Sequence, residues 1–154
     1  MVKTKKVFWI VVVVVLVLDR VTKELAPGIP GSGITLIPGV LGLRYAENRG
    51  AAFSILSGYP RVLGVLSLAA VVGGFLWLRK KQIAMFPMVG LSLMAGGAMG
   101  NMFDRLIRGF VPDMIETQFV NFPVFNIADS CLVVGCVMMM VSLLARSDKF
   151  RIQN

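Results

Sequence analysis

The stretch "NFPVFNIADSCLVVGCVMMM", residues 121–140, places a carboxylate in an otherwise apolar run. From Val124 to Ala145, Asp129 is the only charged residue. A run of about 20 apolar residues predicts a membrane-spanning helix. A charged side chain inside such a span costs about 2.5–3.5 kcal/mol on insertion scales, so an intramembrane carboxylate is by default a candidate functional residue. We therefore predict a functional role for Asp129, with Asn126 on the same helix face.

The composition is typical of an integral membrane protein. Of 154 residues, 56% are hydrophobic and 16% are charged, against about 25% charged residues in soluble domains. There is no histidine, which excludes imidazole zinc sites and Ser-His or Cys-His catalysis. Cys131 and Cys136 lie five positions apart in one apolar run. On a helix they do not share a face, so we predict packing residues and no disulfide between them.

Hydropathy predicts an all-α membrane protein with a single domain, residues 1–154. Four transmembrane helices are expected, at approximately 7–26, 62–78, 83–103 and 124–145. The first begins like a secretory signal peptide, but "DRVTKELAP" (19–27) has no small-x-small cleavage pattern, so we predict a retained span. In the third span, Gly96-x-x-x-Gly100 predicts close helix packing.

The distribution of basic residues predicts that both termini are cytoplasmic. In that orientation the inner segments have a net charge of +8, from one acid, Asp148, and nine basic residues: Lys3, Lys5, Lys6, Arg79, Lys80, Lys81, Arg146, Lys149 and Arg151. The outer side has seven basic and seven acidic residues and is neutral. The inner charge would face anionic lipid. Nucleic acid is not an expected partner, because no basic stripe lies on a soluble module.

Two outer segments, 27–61 and 104–123, connect these spans. The first mixes Gly and Pro turn signals with the short runs "ITLI" (34–37) and "LGLRY" (41–45). It predicts a small sheet or hairpin at the extracytoplasmic interface, followed by a short interfacial helix starting at "AAFSIL" (51–56). The second segment is interpreted as a long link, a kind of connection that usually has a function.

The polar residues converge at one depth. Asp19 lies about 18 Å beyond Val7, in the outer half of a hydrocarbon core about 30 Å thick. The other acids except Asp148 lie at or near the outer ends of the predicted spans. Structural alternatives exist: Asp19 and Lys23 are an (i, i+4) pair that could neutralise a helix end. Asn101, Asp104 and Arg105 could likewise form a helix C-terminus, with Arg105 pairing at the interface.

Two aspartates without histidine can perform water-mediated hydrolysis. If Asp113 and Asp129 approach each other, they cannot both ionise easily. The ionised carboxylate would activate water while the neutral one polarises an amide carbonyl, and Asn48, Asn126 or Arg105 could stabilise the oxyanion. This chemistry requires no metal or cofactor. Sequence spacing does not show that the two acids meet.

Two other functional classes are possible. A small proton- or ion-coupled transporter could use Asp19 and Asp129 as carriers, but the inner half of each span is apolar and offers no polar path. A non-enzymatic membrane scaffold would use the acids only as structural ion pairs.

Five segments, in this order, resemble the lipoprotein signal peptidase family, also called signal peptidase II: "DRVTK" (19–23), "NRGAAFSIL" (48–56), "GGAMGNMFDR" (96–105), "VPDMI" (111–115) and "FPVFNIAD" (122–129). The resemblance extends from about residue 19 to 135. It implies an aspartic endopeptidase of the bacterial inner membrane, with its active site at the extracytoplasmic side. Such an enzyme cleaves prolipoprotein signal peptides just before a diacylglyceryl-modified cysteine.

The resemblance also implies roles for individual residues. Asp113 and Asp129 match the catalytic pair. Five residues match positions that line or support the site: Asn48, Asn101, Asp104, Arg105 and Asn126. Asp19 and Lys23 match structural positions of the first helix. The first outer segment resembles the family's small β-cradle, which rests on membrane lipids. Met114 departs from the aromatic residue often found there, and the loop from Asp113 to Asp129 is short. We expect a monomer without metal or cofactor.

Overall fold

The computed structural model describes residues 2–50, 58–79 and 81–151. These residues form four long helices and one small sheet, in the order α1 (Val2–Leu25), β1 (Ile34–Ile37), β2 (Leu41–Asn48), α2 (Pro60–Leu78), α3 (Met85–Ile107), β3 (Val111–Thr117) and α4 (Ile127–Arg151). A 3-10 turn, Ala26–Gly28, follows α1. The fold is mostly helical, as predicted. The small sheet predicted in the first outer segment is present as β1 and β2, and it gains a third strand, β3, from the second outer segment.

Each predicted span falls largely within one helix, but the boundaries differ. α3 continues to Ile107, one turn past its predicted end at 103. α4 begins at Ile127 and not at 124, because Phe125 is held in extended backbone by pairing with Ile115 of β3. Cys131 and Cys136 in α4 are free thiols, as predicted.

Among the described residues, two helices are long and apolar enough to cross a membrane, Pro60–Leu78 and Ile127–Ala145, with mean hydropathies of 1.9 and 2.2. Only 6% and 11% of their apolar windows are buried inside the protein. The core helix of a soluble protein would instead be mostly buried. α1 also exposes large apolar side chains such as Ile10 and Val13. Apolar surface of this extent favours a lipid environment.

α3 lies at the centre and packs against α1, α2 and α4. Its glycines allow the close approach. A Cβ at Gly96 would lie 2.8 Å from Val15 of α1, and a Cβ at Gly100 would collide with the Asp19 carboxylate. The predicted packing role of Gly96 and Gly100 is confirmed. Gly97 faces α4, where a Cβ would strike the Ala128 carbonyl oxygen.

The sheet is antiparallel, with strand order β1-β2-β3. Leu43 of β2 pairs with Ile34 on one side and Ile115 on the other. Strand β3 comes from the segment 104–123, which connects α3 to α4 as predicted; the strand within it was not predicted. The strand forms because β2 offers it a free edge and because its first four residues are buried. The predicted short helix at 51–56 lies outside the described residues.

Candidate active site

Asp129 lies in the first turn of α4 and takes part in capping that helix. The Asp129 N–H donates to Asn126 Oδ1 at 2.9 Å, and the Asn126 N–H donates to Asp129 Oδ2 at 3.3 Å. This reciprocal pair is a capping box, with Asp129 in the place usually taken by Glu or Gln. A helix N-terminus also favours a negative charge. The N-terminus of α4 therefore offsets part of the energetic cost of placing the Asp129 carboxylate here.

Asp113 lies on β3 and is 2% exposed. Asn126 Nδ2 donates to Asp113 Oδ1 at 2.6 Å, and Asn48 Nδ2, at the end of β2, donates to Asp113 Oδ2 at 3.0 Å. Asn126 thus hydrogen-bonds to both aspartates, through its side-chain amide to Asp113 and through the capping box to Asp129. One asparagine joins two acids from different elements.

The pKa of Asp113 is raised from 3.8 to about 6. Burial is the largest cause and the negative charge of Asp129 is the second; the hydrogen bonds from Asn48 and Asn126 lower the pKa and only partly compensate. The negative charge of Asp129 therefore disfavours ionisation of Asp113. A proton is therefore retained on Asp113 at mildly acidic pH.

Lys23 is a buried cation at the outer end of α1, with 0% exposure. Its Nζ lies 2.8 Å from Asp19 Oδ2, 2.8 Å from Asp104 Oδ2 and 2.8 Å from Asn101 Oδ1. These three acceptors match the three N–H donors of an ammonium group. Asp19 Oδ1 also accepts the N–H of Ala128 at 3.0 Å. The Lys23 cluster therefore ties the ends of α1, α3 and α4 together.

Asn101 connects this cluster to Asp129. Its Nδ2 donates to Asp129 Oδ1 at 2.7 Å, while its Oδ1 accepts from Lys23 and, at 3.3 Å, from Asn126 Nδ2. Because both ends of the Asn101 amide are engaged, its orientation is fixed. The buried lysine thus orients Asp129 through one intervening side chain.

Arg105 lies one turn further along α3 and donates from Nη2 to the Gly50 carbonyl at 3.0 Å. Its Nε is buried and, among the described residues, has no hydrogen-bond partner. The guanidinium interacts electrostatically with Asp129, Asp113 and Asp104. A buried unpaired donor near two acids is suited to receiving an acceptor from a ligand.

The environment of Asp104 differs from the expectation. Asn101 and Asp104 do lie near the C-terminus of α3, but the cations beside Asp104 were not predicted: Asp104 Oδ1 lies 3.3 Å from Arg20 Nη1 and 3.6 Å from Arg108 Nε. Sequence reasoning missed both arginines. Arg108 could have been found from its (i, i+4) spacing to Asp104, whereas Arg20 carries no such signal.

All nine residues singled out in the sequence therefore gather where α1, β2, β3, α3 and α4 meet. The two acids share Asn126, Asn48 supports Asp113, and Asn101 connects Asp129 to the Lys23 cluster. Within residues 2–50, 58–79 and 81–151, no group of three or more Cys, Asp or Glu side chains could hold a metal ion.

Comparison with known proteins identifies relatives over nearly the whole chain. The family model described as signal peptidase (SPase) II matches residues 11–145. The lipoprotein signal peptidase of Streptococcus pneumoniae is 38% identical over 145 residues, covering 92% of this chain and 95% of that protein. The lipoprotein signal peptidase of Lactiplantibacillus plantarum is 39% identical over 147 residues, covering 94% and 97%.

Solved structures also match most of this chain. A bacterial membrane enzyme solved by the in meso method at 2.3 Å resolution has a TM-score of 0.86 and 32% identity, covering 92% of this chain and 90% of its own. A second, at 1.9 Å resolution, has a TM-score of 0.80 and 33% identity, covering 89% and 92%. Family model, relatives and fold agree, and the chain belongs to the signal peptidase II family of proteases.

Proposed function

We propose that this protein is an aspartic endopeptidase that removes signal peptides from diacylglyceryl-modified prolipoproteins, cleaving just before the lipidated cysteine. Family membership and the lipoprotein signal peptidases among its relatives support the substrate class. The observation that carries the mechanism is the pair of contacts made by Asn126, which hydrogen-bonds to Asp113 and to Asp129. One asparagine donates to both carboxylates, from its side-chain amide to Asp113 and from its backbone N–H to Asp129, an arrangement suited to a shared-proton dyad.

In the proposed reaction, the active form of the enzyme has Asp129 ionised and Asp113 protonated. The raised pKa of Asp113 and the position of Asp129 at a helix N-terminus support this distribution. Asp129 takes a proton from water, the water oxygen attacks the scissile carbonyl carbon, and Asp113 gives its proton to the carbonyl oxygen. When the diol collapses, Asp129 protonates the departing amine and Asp113 recovers its proton from the diol hydroxyl.

The surrounding residues have positioning roles in this proposal. Asn48 and Asn126 hold Asp113, and Asn101 holds Asp129, so neither carboxylate reorients during the reaction. Asp19, Lys23 and Asp104 fix the helix ends on which these groups lie. Arg105, with its unpaired Nε, would bind a carbonyl of the substrate peptide.

We further propose that the chain is one monomeric domain that crosses the bacterial inner membrane four times, with both termini in the cytoplasm. The site residues lie at the same ends of α1, α3 and α4, and the basic segments lie at the opposite ends. The site would then lie just below the extracytoplasmic surface. A signal peptide that itself spans the membrane presents its cleavage point at that depth, which accounts for a carboxylate such as Asp129 there.

The purified protein tests this proposal directly when incubated with a prolipoprotein in lipidated and unlipidated forms. Mass spectrometry should find a product that begins at the lipidated cysteine and little product from the unlipidated precursor. Equal cleavage of both forms would contradict the proposed substrate. No cleavage, together with proton flux in liposomes, would favour the transporter alternative.

A further inference from the structure

A positively charged cavity lies beside the candidate active site. It has a volume of about 370 Å³ and, among the described residues, is lined by three arginines together with Tyr59, Val62 and three small residues: Gly58, Pro60 and Gly109. The arginines are Arg49, Arg61 and Arg108. We call this cavity the arginine pocket. None of its described lining residues is acidic, so it concentrates positive charge.

The positive charge of the pocket is only partly compensated. Arg108 forms ion pairs with Glu24 and, at 3.6 Å, with Asp104, and Arg49 Nη2 lies 2.9 Å from Glu47. Arg61 is exposed and makes no ion pair among the described residues. Guanidinium groups bind phosphate through paired N–H donors. One uncompensated arginine beside two others therefore favours an anionic ligand.

The start of α2 adds to this field. Tyr59 is the N-cap residue of α2, makes no side-chain capping hydrogen bond, and is followed by Pro60 with no acid in the first turn. A helix N-terminus carries partial positive charge, and a cation such as Arg61 in its first turn is unfavourable without an anion nearby. A bound phosphate would satisfy both the helix end and the arginine.

The surface that continues from the pocket is apolar. Val62 lines the pocket itself, and Val65 and Leu66 follow on the same helix face, with exposures of 51%, 57% and 58%. Val72 and Leu76 extend this stripe along α2 and are also exposed. A free phosphate ion would not contact this apolar stripe. A phosphate that carries acyl chains would use both features.

We propose that the arginine pocket binds the phosphate group of an anionic phospholipid whose acyl chains lie along Val62, Val65 and Leu66. This proposal rests on the proposed membrane placement of the outer helix ends but not on the peptidase chemistry. Arg49 follows Asn48 directly in sequence, so the bound headgroup would lie next to the residue that supports Asp113.

Photo-crosslinking tests the proposal by position. The protein is reconstituted in neutral bilayers containing a trace of phosphatidylglycerol with a photoreactive group near its phosphate. Labelling of the segment 58–66 is then measured by mass spectrometry. We expect labelling there, a loss of about threefold or more in Arg61→Gln, and weak labelling by a phosphatidylcholine probe of the same design.

The matched control is Arg44→Gln. Arg44 is exposed and pairs with Glu116 on the sheet, outside the pocket, and this variant has the same net charge as Arg61→Gln. It should label like the wild type. Equal losses in both variants, or equal labelling by the two lipids, would overturn the proposal. Loss of labelling in excess inorganic phosphate would overturn it in favour of a soluble-anion site. Asp129→Asn should keep full labelling even if it no longer cleaves, which separates this proposal from the proposed function.

Discussion

The Asn126 side chain both caps helix α4 and supports the candidate active site. It is fully buried, caps α4 through its Oδ1 and donates to Asp113 through its Nδ2. A shorter side chain could not reach both partners, and a carboxylate would add a third negative charge between two acids. The capping role and the site role are therefore inseparable at this position.

The pKa of Asp113 predicts the pH dependence of cleavage. Because this pKa is raised to about 6, the proton on Asp113 is retained between about pH 4 and pH 6 and is lost as the pH rises through 6. The kcat/KM should therefore fall on the alkaline side with an apparent pKa near 6, and on the acidic side as the second carboxylate becomes protonated. Initial rates over pH 4–8 measure the profile; a flat profile from pH 5 to 7 would contradict the shared proton.

The same pKa predicts a change in stability. The folded protein holds the Asp113 proton more tightly than the unfolded chain does. The free energy of unfolding should therefore decrease as the pH rises from about 4 to 6. The full pKa difference between 3.8 and about 6 corresponds to a decrease of about 3 kcal/mol. Thermal denaturation in detergent measures this decrease. Asp113→Asn should lose that pH dependence, and a variant that kept it in full would assign it to another group.

Lys23 predicts a large structural effect. Lys23→Met leaves the buried Asp19 without its cation, so the free energy of unfolding should fall by about 3–5 kcal/mol. The control is Arg44→Gln at the exposed Arg44–Glu116 pair, which should cost less than about 1 kcal/mol. Denaturation of both variants under the same conditions makes the comparison. Similar losses would show that the Lys23 cluster is not a buried ion network.

Most site residues could be predicted from local motifs, whereas their partners could not. The (i, i+4) spacing predicted the contact between Asp19 and Lys23, which is present at 2.8 Å. The meeting of Asp113 with Asn126 joins a strand to a helix cap, and no spacing rule connects them. The position of Arg20 beside Asp104 depends on how α1 packs on α3, which periodicity alone does not determine.

Among the elements, the interface between α3 and α4 is the most tightly constrained. A Cβ at Gly97 would strike the Ala128 carbonyl oxygen and lie 3.1 Å from Leu132. Gly97→Ala should therefore separate the two helices, stretch the Asn101–Asp129 hydrogen bond, and lower both the thermal stability and the cleavage rate.

Gly73→Ala in α2 provides the control for that prediction. A Cβ there meets nothing within 4 Å, and alanine is the better helix former by about 1 kcal/mol. This variant should be as stable as the wild type or more stable. If Gly97→Ala matched it in stability and rate, the close approach of α3 and α4 would have no energetic role.

Three of the four helices could be predicted from long, continuous apolar runs. In α1 the uncharged run is only Val7 to Leu18, so the prediction of its outer end depended on extending the helix through Asp19 and Lys23. Strand β3 could not be predicted, for two physical reasons. Val111 to Met114 are all buried, so the alternation that marks a half-exposed strand is missing, and Pro112 weakens the strand pattern further. Its pairing with β2 also spans more than 60 residues of sequence.

In the proposed membrane placement, the segments that carry the net charge of +8 lie on the side of the membrane opposite the site. The positive-inside rule then predicts the orientation. Alkaline phosphatase fused after Gly39 or Gln118 should be active in cells, and fusions after Arg79 should be inactive. Active enzyme after Arg79 would contradict the orientation and would place the site on the cytoplasmic side.

The central claim is that Asp113 and Asp129, joined by Asn126, carry out the cleavage. The most direct test is the single-turnover cleavage rate of a lipidated prolipoprotein by Asp113→Asn and by Asp129→Asn, with thermal stability measured in parallel. Each variant should remain folded and lose at least about a hundredfold in rate, as expected when a general acid or base is removed. A folded variant of either kind that cleaved at the wild-type rate would contradict the claim.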